Sequence, residues 1–185
     1  MRWIQKEMRA LASEERAQLG LGPLDPFDPY ALCDGHGVPV YTLTDFRHLV
    51  PDAIEHLAVS NTSKWSAALV PLGTARFIIE NDKHVPARRR SSIAHELGHL
   101  LLEHEFTGVV LGDHSGQYGN QQEKEADFLA GELLVPFAAV EKMAFAKWGN
   151  KEVAEAYMVS EQFAQNQMKG QRVRAARAEA KFRRP

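Results

Sequence analysis

The run SSIAHELGHLLLEH, residues 91–104, sets two histidines and a glutamate, HELGH at 95–99, inside an apolar stretch that ends in Glu103 and His104, in a chain that carries eight histidines in all. Helix-favouring residues follow Pro86, with no internal breaker beyond Gly98, and predict one long helix from there to about His104. Successive residues of a helix turn by about 100°, so His95 and His99 stand about 40° apart and one turn above the other. Both imidazoles therefore reach one ion. Glu96 lies to the side of that pair, where its carboxylate can hold an attacking water instead of ligating the metal, as an H-E-x-x-H peptidase site requires. Ile93, Ala94, Leu97, Leu100, Leu101 and Leu102 cover nearly the whole circumference, which predicts a buried helix. Buried ionisable groups need partners, and one metal ion satisfies two histidines at once. The same five-residue pattern also arises by chance on core helices, so the reading turns on a third ligand.

A catalytic zinc usually takes three protein ligands and leaves a fourth position open. A metzincin-type site would need a glycine and a third histidine where this chain has Leu102 and Glu105. A carboxylate from a downstream helix is the other route, and EKEADFLAGELLVP offers Glu123, Glu125 and Glu132. On a helical wheel Glu123 shares an apolar stripe with Ala126, Asp127, Ala130 and Leu134, within about 60° of one another's mean direction. Glu125 and Glu132 fall about 160–200° away, on the expected solvent side. Glu123 is thus the expected ligand. Asp127, one turn further on, is placed to accept a hydrogen bond from the far nitrogen of a ligating imidazole and so to fix its tautomer.

The rest of the chain predicts a small sheet ahead of this helix. A helix over about Trp3–Gln18 is stopped by Gly20 and the proline-rich GPLDPFDPY, and a short helix follows near Pro29–Cys33. Val38–Leu43 reads as a strand, and WSAALVPL and ARFIIEN as a hairpin turning at Gly73 and Thr74. After the polar GDHSGQYGN comes a helix over Gln121–Leu134, closed by Pro136. From Phe137 to about Lys181 the pattern is helical, with a break near Gly149 and Asn150. The expected organisation is one α+β domain over 1–185, with a recognisable core at about 20–140 and a helical C-terminal extension over 141–185.

Taken together, IAHELGHLLLEH, ARFIIENDKHVPARRRSSIAHELGH, EKEADFLAGELLVP and the upstream LGPLDPFDPYALCDGHGVPVY resemble the ImmA/IrrE family of metallopeptidases. The resemblance implies a minimal zincin-like α+β fold, with a small three-stranded sheet packed against the H-E-x-x-H helix and a mostly helical C-terminal part. It implies one Zn²⁺ per chain held by His95, His99 and Glu123, with Glu96 as general base. It also implies a cytoplasmic protein whose substrate is a separate chain, a helix-turn-helix repressor, cleaved to derepress stress or mobile-element genes. Here Glu103 interrupts the familiar pattern, and His104 stands about 140° round the helix from His99, so it is not counted among the ligands.

Charge and composition agree with that picture. A formal net charge of -2 argues against a general polyanion binder, and no direct contact with nucleic acid is expected. No segment is apolar for the length of a bilayer, and the charged N-terminus is not a signal peptide. Cys33 alone forms no internal disulfide and reads as a small buried apolar residue in a reducing compartment. Tyr118 and His114, between the two ligand helices, are candidate oxyanion stabilisers that no spacing rule supports, and that role is left unassigned. His36, His48, His56 and His84 lack partners at ligand spacing. Arg172, Arg174, Arg177, Lys181, Arg183 and Arg184 read as the solvated face of a terminal helix. The competing function is a non-catalytic metal-binding module that docks to a repressor or toxin partner. Glu96 argues for catalysis, because a structural site needs the histidines without that carboxylate. A site of two imidazoles and a carboxylate also accepts manganese or cobalt, and the oligomeric state is left open.

Overall fold

In the computed structural model, which describes residues 2–55, 65–105 and 118–182, the expected hairpin forms around Gly73 at φ +60°, a left-handed position that suits glycine. Its arms are β2 (Ala67–Leu72) and β3 (Ala75–Glu80), antiparallel from Ala67 opposite Glu80 to Leu72 opposite Ala75. A third strand, β1 (Val40–Thr42), runs parallel to β3 with Val40 opposite Ile78, so the sheet order is β1-β3-β2. One edge of β2 is therefore left to face the neighbouring helix. The fold is α+β, with this small mixed sheet and a mostly helical remainder.

Upstream lie α1 (Gln5–Gln18) and α2 (Pro29–Gly35), the latter capped by Asp28, whose side chain accepts from the Tyr30 N–H. A 3-10 turn at Leu43–Phe46 and the short α3 (Pro51–Glu55) follow β1; neither is announced by hydrophobic periodicity. The motif helix is α4 (Pro86–Leu101), and α5 (Asn120–Leu134) packs against it more extensively than any other pair of elements. Ile93, Ala94 and Leu97 of α4 and Leu129 and Leu133 of α5 are fully buried together with Ile78 of β3. The C-terminal part breaks twice where one break is expected, into α6 (Phe137–Phe145), α7 (Asn150–Tyr157) and α8 (Glu161–Phe182). The second break is made by Met158 in the left-handed conformation, a position where no glycine marks the helix end. Arg172 ties α8 to the start of α7 through Asn150 and the Trp148 carbonyl, while Arg174, Arg177 and Lys181 stay exposed as expected. Arg183 and Arg184 lie outside the described residues.

Two buried ionic sites anchor the frame around α4 and α5. Arg16 of α1 donates to the Leu133 carbonyl at 2.6 Å and to the carbonyls of Gly22 and Asp25, joining the end of α5 to the loop after α1. Arg89 of α4 forks onto Glu80 at the end of β3, at 2.5 and 3.1 Å, and the Tyr30 hydroxyl of α2 donates to the same carboxylate at 2.8 Å. Three elements thus meet at one carboxylate that is 2% exposed. Removing one partner of a buried pair leaves the other charge uncompensated, at a cost of about 3–5 kcal/mol. Arg89→Met is expected to lose about that much in urea unfolding. Glu80→Gln combined with Arg89→Met should recover most of the loss. Equal losses in the single and double variants would mean that packing of the arginine stem, not the stranded charge, sets the cost.

Candidate metal centre

α4 carries His95 and His99 on one face, and the close packing of α5 brings the carboxylate of Glu123 to them. One ligand atom from each lies within 4.8 Å of the others. His95 Nε2 is 3.2 Å from Glu123 Oε2, His99 Nε2 is 3.8 Å from Glu123 Oε1, and the two Nε2 atoms are 3.0 Å apart. Two ring nitrogens that face one another at that distance need a shared proton or a shared cation between them. Two imidazoles and one carboxylate, converging at the edge of a cleft of about 270 Å³, suit zinc and leave room for a further ligand.

Asp127, one turn beyond Glu123, accepts from His95 Nδ1 at 2.9 Å, which leaves the Nε2 lone pair turned towards His99 and Glu123. Burial would lower the pKa of His95, but its hydrogen bonds to Asp127 and Glu123 outweigh it and hold the imidazole up at about 10. That acidic surround favours a proton in the metal-free protein and a divalent cation in its place. Glu96 stands beside the ligands, buried, with Oε2 accepting the Leu69 N–H of β2 at 2.8 Å. Burial pushes its carboxyl up to about 7, against the pull of His95 and of that N–H. Tyr118 stacks on the His99 ring, with centroids 3.6 Å apart, and lines the cleft with Ser66, Arg88, Ser92, His95 and Glu96. His114 lies outside the described residues.

The wheel placed Glu125 and Glu132 towards solvent, and this is corrected: both are buried. α5 is covered by α4 on one side and by α1 on another, so its second face is no solvent face. Glu132 pairs there with Arg9 of α1 at 2.8 Å and accepts the Phe137 N–H. Glu125 accepts from Trp3 N and from Gln121, and meets His104 Nε2 at 3.3 Å. Asp127, expected on the inward stripe, keeps its contact with His95 but has a side chain 74% exposed. Helix α4 ends at Leu101, earlier than expected, because Glu103 turns left-handed at φ 53°. The Glu103 and His104 amides then bond back to the Leu100 and His99 carbonyls, a Schellman closure. That turn carries His104 behind His99 instead of round the helix, with the two Nδ1 atoms 2.9 Å apart. Cys33 is buried as expected, which raises its thiol to about 12.

Fold and centre together give a small α+β protein in which an H-E-x-x-H helix and the helix after it bring together residues that could hold a metal ion, the arrangement of a metallopeptidase. The family model of the IrrE N-terminal-like domain, peptidase family M78, matches residues 46–169, well over half of the chain, and the protein belongs to that family. The match takes in β2, β3, α4 and α5, and so His95, His99 and Glu123, and continues into α8. Membership makes the chain a peptidase and implies a metal. No curated protein matches it. Among the described residues, no helix is long and apolar enough to cross a membrane.

Proposed function

We propose that this chain is a cytoplasmic zinc endopeptidase that cuts a separate protein, a helix-turn-helix repressor, and thereby derepresses the genes it controls. The observation that carries the catalytic part is the convergence of His95, His99 and Glu123 beside the buried carboxyl of Glu96. The repressor rests on the family resemblance borne by the order and spacing of the motifs.

His95, His99 and Glu123 would hold the zinc, which supplies a Lewis acid for the scissile carbonyl and lowers the pKa of water. Glu96 is the proton carrier. Its carboxyl takes a proton from the attacking water and returns it to the departing amine, from a buried position beside the centre. The Leu69 N–H holds this carboxylate at one oxygen and leaves the other for water. β2 is an edge strand, and Ala67 at its start and Ser66 just before it line the cleft, so an extended stretch of polypeptide can add to that edge short of Leu69, whose N–H Glu96 holds. Asp127 and Tyr118 hold the imidazoles of His95 and His99 in place.

The test is metal content by elemental analysis on protein purified without a histidine tag. About one zinc per chain is expected, lost in Glu123→Ala and kept in Glu141→Ala, a change at an exposed acid of α6. Protein that refuses zinc would leave a folded interaction module in place of an enzyme. The substrate class is tested by comparing new N-termini in cells that express wild-type or Glu96→Gln protein. Cuts confined to the wild type and falling in a repressor are the expected result, and cuts in other proteins would replace the repressor by another substrate class.

A further inference from the structure

The back of His99 faces a buried chain of polar groups that no metal ligand needs for its own sake. His104 Nδ1 lies 2.9 Å from His99 Nδ1, and His104 Nε2 lies 3.3 Å from Glu125 Oε2. Glu125 Oε1 accepts from the Trp3 backbone N–H at 3.2 Å and from the Gln121 side-chain amide at 2.8 Å. The His104 side chain is 4% exposed and that of Glu125 is 2% exposed.

Donor and acceptor roles can be assigned along this chain from its outer end. A backbone N–H donates and never accepts, so the Glu125 oxygen facing Trp3 is an acceptor, and a carboxylate accepts at its other oxygen as well. His104 therefore carries its proton on Nε2 and donates it to Glu125. Two ring nitrogens 2.9 Å apart share one proton, and a His99 that offers Nε2 to the proposed cation carries its own proton on Nδ1, so His104 Nδ1 accepts from it. His99 is left with a lone pair on Nε2, the atom that faces His95 and Glu123.

We infer that His104 and Glu125 are positioning residues of the centre, a buried imidazole–carboxylate relay that sets the tautomer of His99 so that Nε2 is offered to the cation. The inference rests on the zinc site proposed above. It makes the two histidine ligands unequal. His95 is backed directly by Asp127, which water screens, whereas His99 is backed through His104 by a carboxylate shielded from solvent. Trp3 closes the outer end of the relay, and its indole N–H donates to the Leu102 carbonyl at 3.3 Å, holding the turn that presents His104. Trp3 lies before the stretch that the family model matches, so this N-terminal segment adds to the centre from outside it.

Glu125→Gln is a sharp probe because Trp3 N–H admits only the amide oxygen on its side. The amide N–H₂ then faces His104 Nε2, which must accept, and the proton moves to His104 Nδ1. His99 Nδ1 is forced to accept in turn, and its proton sits on Nε2, the wrong atom for ligation. The experiment is long-range ¹H–¹⁵N correlation of the histidine rings in metal-free and zinc-loaded protein, with zinc dissociation constants from chelator competition. Wild-type His104 is expected as the Nε2–H tautomer. Glu125→Gln should shift it to Nδ1–H and weaken zinc binding about 10–100-fold, and His104→Phe, which keeps a ring of similar shape, should weaken it by a similar factor. Wild-type His104 found as Nδ1–H, or wild-type zinc affinity in both variants, overturns the relay and leaves the zinc centre standing. Wild-type protein that takes up no zinc ends the zinc reading itself, and the relay with it, before any substitution is made. Should Glu125→Gln fail to fold, the wild-type spectrum and His104→Phe decide the matter.

Discussion

Glu96→Gln is expected to lower the rate of peptide hydrolysis by about 10²–10⁴-fold while leaving the fold and the zinc affinity in place. The amide has the size of the carboxyl and still offers an oxygen to the Leu69 N–H, so β2 and α4 keep their contact. It accepts no proton, so the step that activates water is lost. The same substitution has a signature in stability. In the folded metal-free protein Glu96 holds its proton to about 7, whereas its ordinary value is 4.5. Between those two values the native state binds more protons than the unfolded chain, so the Glu96 contribution to stability falls as pH rises through the window. His95 acts in a second window. Its folded value of about 10 lies above the ordinary 6.5, so its contribution is complete below 6.5 and is lost as pH rises towards 10. Urea unfolding of metal-free Glu96→Gln protein should show the lower slope removed and the upper slope kept but narrowed, because Asp127 and Glu123 still hold His95 up while the Glu96 charge that helps them is gone. A variant that still cuts its partner at the wild-type rate would refute the role of Glu96, and unchanged slopes would refute its burial as an acid.

The centre was more legible in the sequence than the shell that holds it, for reasons that can be traced to particular residues. His95, His99, Glu96 and Glu123 follow from helical arithmetic, because each lies on a regular stretch where about 100° per residue applies. Asp127 follows from the same arithmetic, and its bond to His95 is present. The relay behind His99 was hidden for two reasons. Helical arithmetic assumes that the helix continues, and Glu103 ends it without a glycine to give notice. A single inward stripe also assumes one packing partner, whereas α5 has α4 and α1 against it and buries Glu125 and Glu132 on the side away from Glu123. A helix between two others should show polar residues that are satisfied across each interface. Arg9 opposite Glu132, and Trp3 opposite Glu125, are such pairs, and neither can be read from a single helix. The hairpin was plain from its glycine turn. The parallel pairing of β1 with β3 is a long-range choice on which local pattern is silent.

Gly98→Val is expected to remove the proposed zinc centre without touching any of the residues that would hold the ion. A Cβ at residue 98 would stand 2.8 Å from the Ala126 carbonyl oxygen and 2.9 Å from its Cα, closer than non-bonded atoms come. Both atoms are backbone, so no side chain can swing aside and α5 itself must move from α4. Ala126 lies three residues after Glu123 on the same face, so the displacement is passed to the carboxylate that completes the donor set. A shift of about 1 Å is enough to spoil a constellation of this kind, and zinc affinity should fall by more than about 100-fold. Overpacking of this sort costs about 1–3 kcal/mol. Gly98→Ala is the milder test, because the gain of up to about 1 kcal/mol in helix propensity offsets part of the strain. It should therefore cost little stability yet weaken zinc binding, a separation that distinguishes a shifted carboxylate from general unfolding. Zinc affinity and thermal unfolding of the metal-free proteins, measured side by side, check it. Should Gly98→Ala bind zinc as tightly as the wild type, the close approach of α4 and α5 would not be what sets Glu123 against the histidines. The glycine of H-E-L-G-H, read from sequence as an exception inside a helix, then has a positive role: its missing side chain is the space in which the two ligand-bearing helices meet.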